Sequence, residues 1–275
     1  METQEFNWTT KEGTTIYAKR WIPKQPKAVI CLVHGLGEHI NRYQHVADYF
    51  GNQGIAMIGN DHVGHGKTSG KRGHTPSYDA LLDEVETLIE KAKTTFPNVP
   101  IFLYGHSMGG NIVLNAVFRR KLAIQGAIAT APAITLPKPP PKLLVAIGKL
   151  TRRFYPSLQQ PNGLNPNDIS KNKTVVTTYI NDPLVHDKIS SELGLSLLDN
   201  GLWLIKEPKT TAIPLLLMHG QADNITSANG SQTFAKQTKG DVTLKIWDGL
   251  FHEIHNEMEQ LLVFEYALEW MRGRM

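Results

Sequence analysis

Short apolar runs alternate along this chain with longer segments in which apolar residues recur at helical spacing. The runs are rich in Val, Ile, Leu and Ala, as buried strands are, and they lie at 28–33, 55–58, 101–104, 123–129, 213–218 and 242–247. Two earlier segments, 5–8 and 15–21, predict an opening hairpin. Because strands that alternate with helices usually pair in parallel, we predict an α/β fold with a mostly parallel central sheet flanked by helices.

One interruption of this rhythm, over 133–208, predicts an inserted helical lid. The segment carries its own helical patterning and is too long for a simple loop of a compact domain. In open α/β folds such an insertion lies above the carboxyl ends of the strands, where ligands bind. We therefore expect a core formed by 1–132 and 209–275, with 133–208 as the lid (cap).

Composition narrows the function classes. The 275 residues carry a formal charge of +4 that is spread along the chain, with no Lys/Arg cluster to indicate nucleic acid binding. Because Cys31 is the single cysteine, no intrachain disulfide can form. Its place in an apolar run predicts a small buried hydrophobic residue. The polar amino terminus does not resemble a signal peptide, and no stretch approaches the ~20 apolar residues of a membrane span. We expect a cytoplasmic protein, and nothing in the sequence indicates an oligomeric state.

The stretch LYGHSMGG is the strongest chemical signal. It places Ser107 two residues after Gly105 and two before Gly109, between the run 101–104 and the helical pattern at 111–119. In G-x-S-x-G the serine occupies a strained strand-to-helix turn, and the glycines leave room where a Cβ would clash. We predict Ser107 as a nucleophile; the alternative is a serine that caps a helix at a glycine-rich turn.

A serine nucleophile needs a base and an orienting acid, which in folds with this turn follow it in the order acid, then histidine. Asp223 follows the run 213–218 and is the predicted acid, whereas Asp248 reads as a turn residue. His252 and His255 both follow the last run, and His252 is favoured as the base because it lies nearer the strand end.

The oxyanion formed in acyl transfer needs two backbone N–H donors. Met108, the residue after the serine, is the first predicted donor. Leu36, between two glycines in HGLGEH after the run 28–33, is the second. The alternative for HGLGEH is a simple glycine-rich turn.

Several motifs together resemble monoacylglycerol lipases of the serine α/β-hydrolase superfamily, over nearly the whole chain. They are HGLGEHINRY (34–43), DHVGHGKTSG (61–70), GHSMGG (105–110), SKNKTVVTTYINDPL (170–184), HGQAD (219–223) and FHEIHNE (251–257). The resemblance implies the α/β-hydrolase fold, the triad Ser107, Asp223 and His252, and the oxyanion donors Leu36 and Met108.

The resemblance also implies four residues at the glycerol end of the pocket: Glu38, Arg42, Tyr179 and His255. The residues by themselves leave simpler alternatives open. Glu38 and Arg42 are spaced to pair with each other and brace their loop, and His255 is compatible with a plain surface position.

The segment KLLVAIGKLTRRFY in the lid predicts a basic amphipathic helix. Leu143, Leu144, Ile147, Leu150 and Phe154 fall near one helical face, among lysines and arginines. Such a helix can lie in a membrane interface, so a peripheral membrane contact is one expectation. The alternative is that the apolar face covers the substrate tunnel.

The combined hypothesis is a serine hydrolase that cleaves monoacylglycerols to fatty acid and glycerol through an acyl-enzyme. It needs no cofactor and no metal, and FHEIHNE lacks the spacing of a helical zinc pair. A lysophospholipase or broad carboxylesterase is the close alternative, and an acyltransferase would use the same triad. A catalytically inactive receptor is the alternative from another class.

Overall fold

The computed structural model describes residues 1–275, which form an eight-stranded sheet with helices on both faces, and a two-stranded sheet. The strands are β1 (Glu2–Thr9), β2 (Thr15–Ile22), β3 (Ala28–Val33), β4 (Ile55–Asn60), β5 (Ile101–His106), β6 (Gly126–Thr130), β7 (Gln159–Pro161), β8 (Lys188–Ser190), β9 (Leu215–Gly220) and β10 (Val242–Trp247). The helices are α1 (Gln44–Asn52), α2 (Tyr78–Thr95), α3 (Met108–Arg119), α4 (Lys142–Phe154), α5 (Lys173–Asn181), α6 (Ser191–Lys206), α7 (Ala228–Gln237) and α8 (Gln260–Arg272).

The large sheet is mostly parallel. Its order is β1-β2-β4-β3-β5-β6-β9-β10; β1 and β4 pair antiparallel to β2, and all the other neighbours pair in parallel. The carboxyl ends of β3, β5, β6, β9 and β10 therefore meet at one edge of the sheet. The predicted α/β fold is confirmed.

All six predicted runs are strands, but two begin later than their apolar composition indicates. The run predicted from 123 begins at Gly126, which pairs with Phe102 of β5. The run predicted from 213 begins at Leu215, which pairs with both Ala127 and Val242. Strand ends follow the pairing register, which hydrophobicity alone does not report.

Local signals explain the helix bounds. The hydroxyl of Ser77 caps α2 by accepting the Ala80 N–H at 3.1 Å. The helix after the serine turn starts at Met108, three residues before the predicted start. Its first turn is closed by the Asn111 N–H, which donates to the Ser107 carbonyl at 3.0 Å.

Alternate residues of the central strands face two separate apolar layers. In β3, Val29 and Val33 pack on the side of α2 and α3, whereas Ile30 and Leu32 pack on the side of α1 and α8. Cys31 is fully buried in the first layer with a free thiol, as predicted for a small hydrophobe. This rigid two-layer core positions the loops at the carboxyl edge.

The predicted lid segment, which we call the cap segment (133–208), contains α4, α5, α6 and the antiparallel pair β7–β8. Helix α6 packs against α3 and α4, and so joins the cap segment to the sheet layers. Helix α4 forms as predicted but has no buried residue. None of the helices combines the length and the apolar character needed to cross a membrane.

Candidate active site

Ser107 lies in a tight turn between β5 and α3. Its backbone has φ 54° and ψ −114°, a conformation that residues with a Cβ rarely adopt. A Cβ on Gly105 would collide with the carbonyl oxygen of Gly109, and a Cβ on Gly109 would collide with that of Val33. The glycines flanking Ser107 are therefore required by close backbone approach.

The structure brings Ser107, His252 and Asp223 together. The Oγ of Ser107 lies 2.9 Å from Nε2 of His252, and Nδ1 of His252 lies 2.7 Å from Oδ2 of Asp223. Asp223 follows β9 and His252 follows β10, so all three residues lie at the carboxyl edge of the sheet. This is the geometry of a nucleophile, a base and an orienting acid.

Asp223 is held by donors on both oxygens. Its Oδ1 accepts the N–H groups of Ile225 and Thr226 at 2.7 and 3.0 Å, and its Oδ2 lies 3.0 Å from Nε2 of His219. Burial by itself would raise the pKa of Asp223, but the charge of His252 and the hydrogen bonds from both histidines outweigh it. The pKa lies far below the usual range, so the carboxylate is ionised.

The electrostatics of His252 work in the opposite direction. Burial by itself would lower the pKa of His252, but the charge of Asp223 and its hydrogen bond raise the pKa above the usual 6.5. The buried carboxylates of Glu253 and Glu38 act in the same direction. The side chain is thereby suited to take up and return a proton.

The competing acid and base occupy other positions. Asp248 is exposed in the turn after β10. His255 is fully buried, with its ring stacked 4.9 Å from that of Tyr43 and edge-on to that of His106 at 4.7 Å. It is therefore not the plain surface residue that was one alternative.

The two amides predicted as oxyanion donors flank Ser107. Leu36 and Met108 both line the same cavity as the serine. Met108 is the first residue of α3, so its N–H has no acceptor within the helix. The Leu36 N–H has no acceptor in its loop. Both donors are free for an oxygen bound at Ser107.

An apolar cavity of about 320 Å³, the main cavity, extends from Ser107 beneath the cap segment. Apolar side chains of the core, α4 and α6 make up most of its wall. They include Leu36, Ile134, Leu144, Ile147, Leu158 and Leu195. A cavity of this size and lining suits a hydrocarbon chain.

A second cavity of about 20 Å³, the polar cavity, adjoins the main cavity at Ser107 and is also lined by His252. Its polar wall includes Glu38, Tyr179 and Glu253. It has the space of one water molecule or one hydroxyl group.

A buried ionic network forms the back of the polar cavity. Arg42 donates to Glu38 at 2.6 Å and, with two nitrogens, to both oxygens of Glu253 at 2.7 Å. The ring of Tyr179 covers the guanidinium at 4.7 Å. Burial raises the pKa of Glu38, whereas Arg42 overcomes burial at Glu253 and lowers its pKa to about 2. The predicted pairing of Glu38 with Arg42 is thus present, and Glu38 also faces the cavity.

Two residues that the resemblance assigned to the glycerol end lie elsewhere. Arg42 lies behind Glu38 and Tyr179, and neither it nor His255 lines either cavity. Sequence reasoning missed Glu253 and His219. The only signal for Glu253 was that it directly follows the predicted base, and the only signal for His219 was that it shares the HGQAD motif with the predicted acid.

The structure holds no group of three or more His, Cys, Asp or Glu side chains arranged to bind a metal ion.

Comparison with known proteins identifies the family. The family model for serine aminopeptidase, S33 (Hydrolase_4), matches residues 24–259. The chain is 32% identical to a monoacylglycerol lipase of Mycolicibacterium smegmatis, over 97% of this chain and 96% of that protein. It superposes on the crystal structure of Paleococcus ferrophilus monoacylglycerol lipase with a TM-score of 0.87 and 35% identity, covering 94% of this chain and 99% of that one.

A further relative is much longer than this chain. An uncharacterized abhydrolase domain-containing protein of Dictyostelium discoideum is 37% identical over the whole chain, which spans 30% of that protein. The family match covers most of the sequence and includes every residue of the site. The chain therefore belongs to the serine aminopeptidase S33 family of the α/β-hydrolase superfamily, alongside monoacylglycerol lipases, and is an enzyme of the carboxylic ester hydrolase class.

Proposed function

We propose that this chain hydrolyses monoacylglycerols to a free fatty acid and glycerol. The observation that carries the proposal is that two unlike cavities meet at Ser107. The apolar main cavity suits an acyl chain, and the small polar cavity suits a hydroxyl of the leaving alcohol. An aminopeptidase activity has less support because a free amino terminus is hydrophilic and the main cavity is apolar.

The proposed reaction uses Ser107 as nucleophile. Its Oγ attacks the ester carbonyl carbon while its proton passes to Nε2 of His252, and Asp223 orients the imidazole through Nδ1–H. The N–H groups of Leu36 and Met108 donate to the carbonyl oxygen as it becomes an oxyanion.

The same histidine completes the cycle. Collapse of the tetrahedral intermediate breaks the ester C–O bond, and glycerol leaves with the proton held by His252. Water then adds to the acyl-enzyme, giving its proton to His252 and its oxygen to the carbonyl carbon. The second collapse returns the proton to Ser107 and releases the fatty acid.

For the leaving group, we propose that Glu38 and Tyr179 contact the glycerol, because both line the polar cavity. Arg42 acts behind them by holding Glu38. His255 packs edge-on against His106 and lines neither cavity, so the proposal gives it no contact with the glycerol.

The cap segment is proposed to act as a lid over a core formed by 1–132 and 209–275. Leu144 and Ile147 of α4 line the main cavity, and five apolar side chains of the same helix are exposed, namely Leu143, Leu144, Ile147, Leu150 and Phe154. These positions support both of the roles expected for the helix. We propose that it covers the acyl chain and also meets a membrane surface, on a protein located in the cytoplasm.

The decisive experiment compares kcat/KM for a monoacylglycerol and for the lysophosphatidylcholine with the same acyl chain. Ser107→Ala is the blank. A strong preference for the monoacylglycerol that vanishes in Ser107→Ala is expected. Equal or reversed rates would replace the proposal with a broader lipid esterase or lysophospholipase, and absence of fluorophosphonate labelling at Ser107 would favour a receptor.

A further inference from the structure

The ionic network behind the polar cavity contains more negative than positive charge. Glu38 and Glu253 line the cavity and flank one guanidinium, that of Arg42, which lies behind them. His252, whose pKa is raised, also lines the cavity, but its positive charge is paired with Asp223. His106, which also lines it, has its pKa lowered to about 3 by burial, so it is neutral near pH 7. All three members of the network are less than a tenth exposed, so water screens them poorly.

The hydrogen bonds indicate that Glu38 is ionised despite its raised pKa. Its Oε1 accepts the Gly35 N–H at 2.6 Å and lies 2.8 Å from the Tyr43 hydroxyl, and its Oε2 accepts from Arg42. With Glu38 protonated, the Tyr43 hydroxyl would have to turn and accept from it, whereas the ionised carboxylate accepts from all three donors as they stand. The network therefore carries one excess negative charge.

Arg42 has three of its five N–H donors engaged by carboxylates and does not line the cavity, so it is not placed to bind an anion there. An arginine near a lipid headgroup normally offers a fork of N–H donors to a phosphate. Here one terminal nitrogen is shared by Glu38 and Glu253, the other donates to Glu253, and Tyr179 covers the face. What the cavity presents to a ligand is carboxylate oxygens, which accept from hydroxyl groups.

We propose that Glu253, together with Glu38, makes the polar cavity selective by charge. It admits the neutral hydroxyls of a glycerol headgroup and rejects a phosphate at the same place. The inference rests on the proposed function and deepens it, because it assigns the choice between monoacylglycerol and lysophospholipid to these two carboxylates. The size of the cavity, about 20 Å³, acts in the same direction.

The test uses two substrates that differ only in a phosphate: a monoacylglycerol and the 1-acyl-glycerol-3-phosphate with the same acyl chain. Both are supplied below the concentration at which they aggregate, and kcat/KM is measured for wild type, Glu253→Gln and Glu38→Gln. Either substitution removes one negative charge and leaves the network neutral. We expect the ratio of kcat/KM for the monoacylglycerol to kcat/KM for the phosphate substrate to fall at least tenfold in each variant.

Controls separate charge selection from loss of structure. The p-nitrophenyl ester of the same acyl chain has no headgroup hydroxyls, and its turnover reports whether each variant keeps a working triad. Glu259→Gln removes a carboxylate that is close to Glu253 in sequence, is 43% exposed and lies outside both cavities. It should leave the ratio of the two kcat/KM values unchanged.

The outcomes are distinct. A wild-type preference for the monoacylglycerol that persists unchanged in both variants would overturn the charge selection and leave the proposed function standing. Equal loss on both substrates would assign Glu253 and Glu38 a structural role only. A wild type that cleaves the p-nitrophenyl ester but not the monoacylglycerol would overturn the proposed function itself, and the selection with it.

Discussion

His219 and Asp223 are hydrogen-bonded across the turn that follows β9. Nε2 of His219 lies 3.0 Å from Oδ2 of Asp223, the same oxygen that meets His252 at 2.7 Å. Because ionised Asp223 can only accept, Nε2 of His219 carries the proton, and its Nδ1 is left to accept from the Ser231 hydroxyl at 2.8 Å. The proposed catalytic acid is therefore oriented by two histidines, of which only His252 reaches Ser107.

Replacing His219 should impair catalysis by releasing Asp223. We expect His219→Leu to lower kcat by about tenfold to a hundredfold, because a buried carboxylate loses a charged hydrogen bond. His219→Gln keeps a donor at that position and should stay much nearer to wild type. The measurement is kcat for a p-nitrophenyl ester; indistinguishable values for the two variants would mean that the hydrogen bond has no role.

The pH dependence of kcat/KM should follow His252. The protonated imidazole cannot accept the proton of Ser107, so activity should rise with pH through the pKa of His252, which Asp223 holds above 6.5. In Asp223→Asn the residual activity should rise at a lower pH than in wild type, since the negative charge that raises the pKa of His252 is gone. A wild-type limb below pH 6.5 would contradict this electrostatic account.

Stability should fall in mild acid because several buried histidines stay neutral. Burial lowers the pKa of His65 well below the usual 6.5, and the nearby His186 adds to the effect. The unfolded chain therefore takes up a proton below pH 6.5 that the folded chain refuses, so stability is complete above pH 6.5 and is lost as pH falls.

A single substitution tests this linkage. His65→Gln should flatten the fall of the unfolding free energy below pH 6.5 by up to about 1.4 kcal/mol per pH unit. The measurement is urea unfolding of both proteins between pH 8 and pH 5. Parallel curves over the whole range would show that His65 is not one of the groups responsible.

Two helical glycines should respond in opposite ways to alanine. In Gly109→Ala the new Cβ would collide with backbone oxygens of Val33 and His34. We therefore expect the free energy of unfolding to fall by about 1–3 kcal/mol or more, and we expect activity to be lost. In Gly148→Ala the Cβ meets the Leu195 side chain at 3.6 Å, an ordinary contact, and α4 should gain about 0.5–1 kcal/mol. Thermal unfolding and ester turnover of the two variants provide the comparison.

The outer face of α4 should carry membrane contact. Leu150 is 61% exposed on this basic helix, and Leu202 on α6 is 57% exposed. We expect Leu150→Asp to weaken co-sedimentation with anionic vesicles, and Leu202→Asp to have little effect. Binding by wild type should decrease as salt is added. No binding at low ionic strength would remove the membrane role.

Much of the fold follows from local pattern. The runs and helices were predictable because each buries an apolar face with a period of two or 3.6 residues. The turn at Ser107 was predictable because only glycine tolerates the backbone approach at Gly105 and Gly109. The order of serine, acid and histidine followed from the strand order along the chain.

What the sequence could not determine depends on contacts between residues far apart in the chain. In the sequence Glu253 is an ordinary polar neighbour of the predicted base. Only the folded chain brings it into contact with Arg42, which lies 211 positions away. His255 matched a motif, but packing against Tyr43 and His106 buries it away from both cavities. Periodicity and spacing report which face of an element is buried, so they determined the sheet and the serine turn. Tertiary packing determines which charged side chains meet at one buried cavity. It therefore decided the composition of the polar cavity.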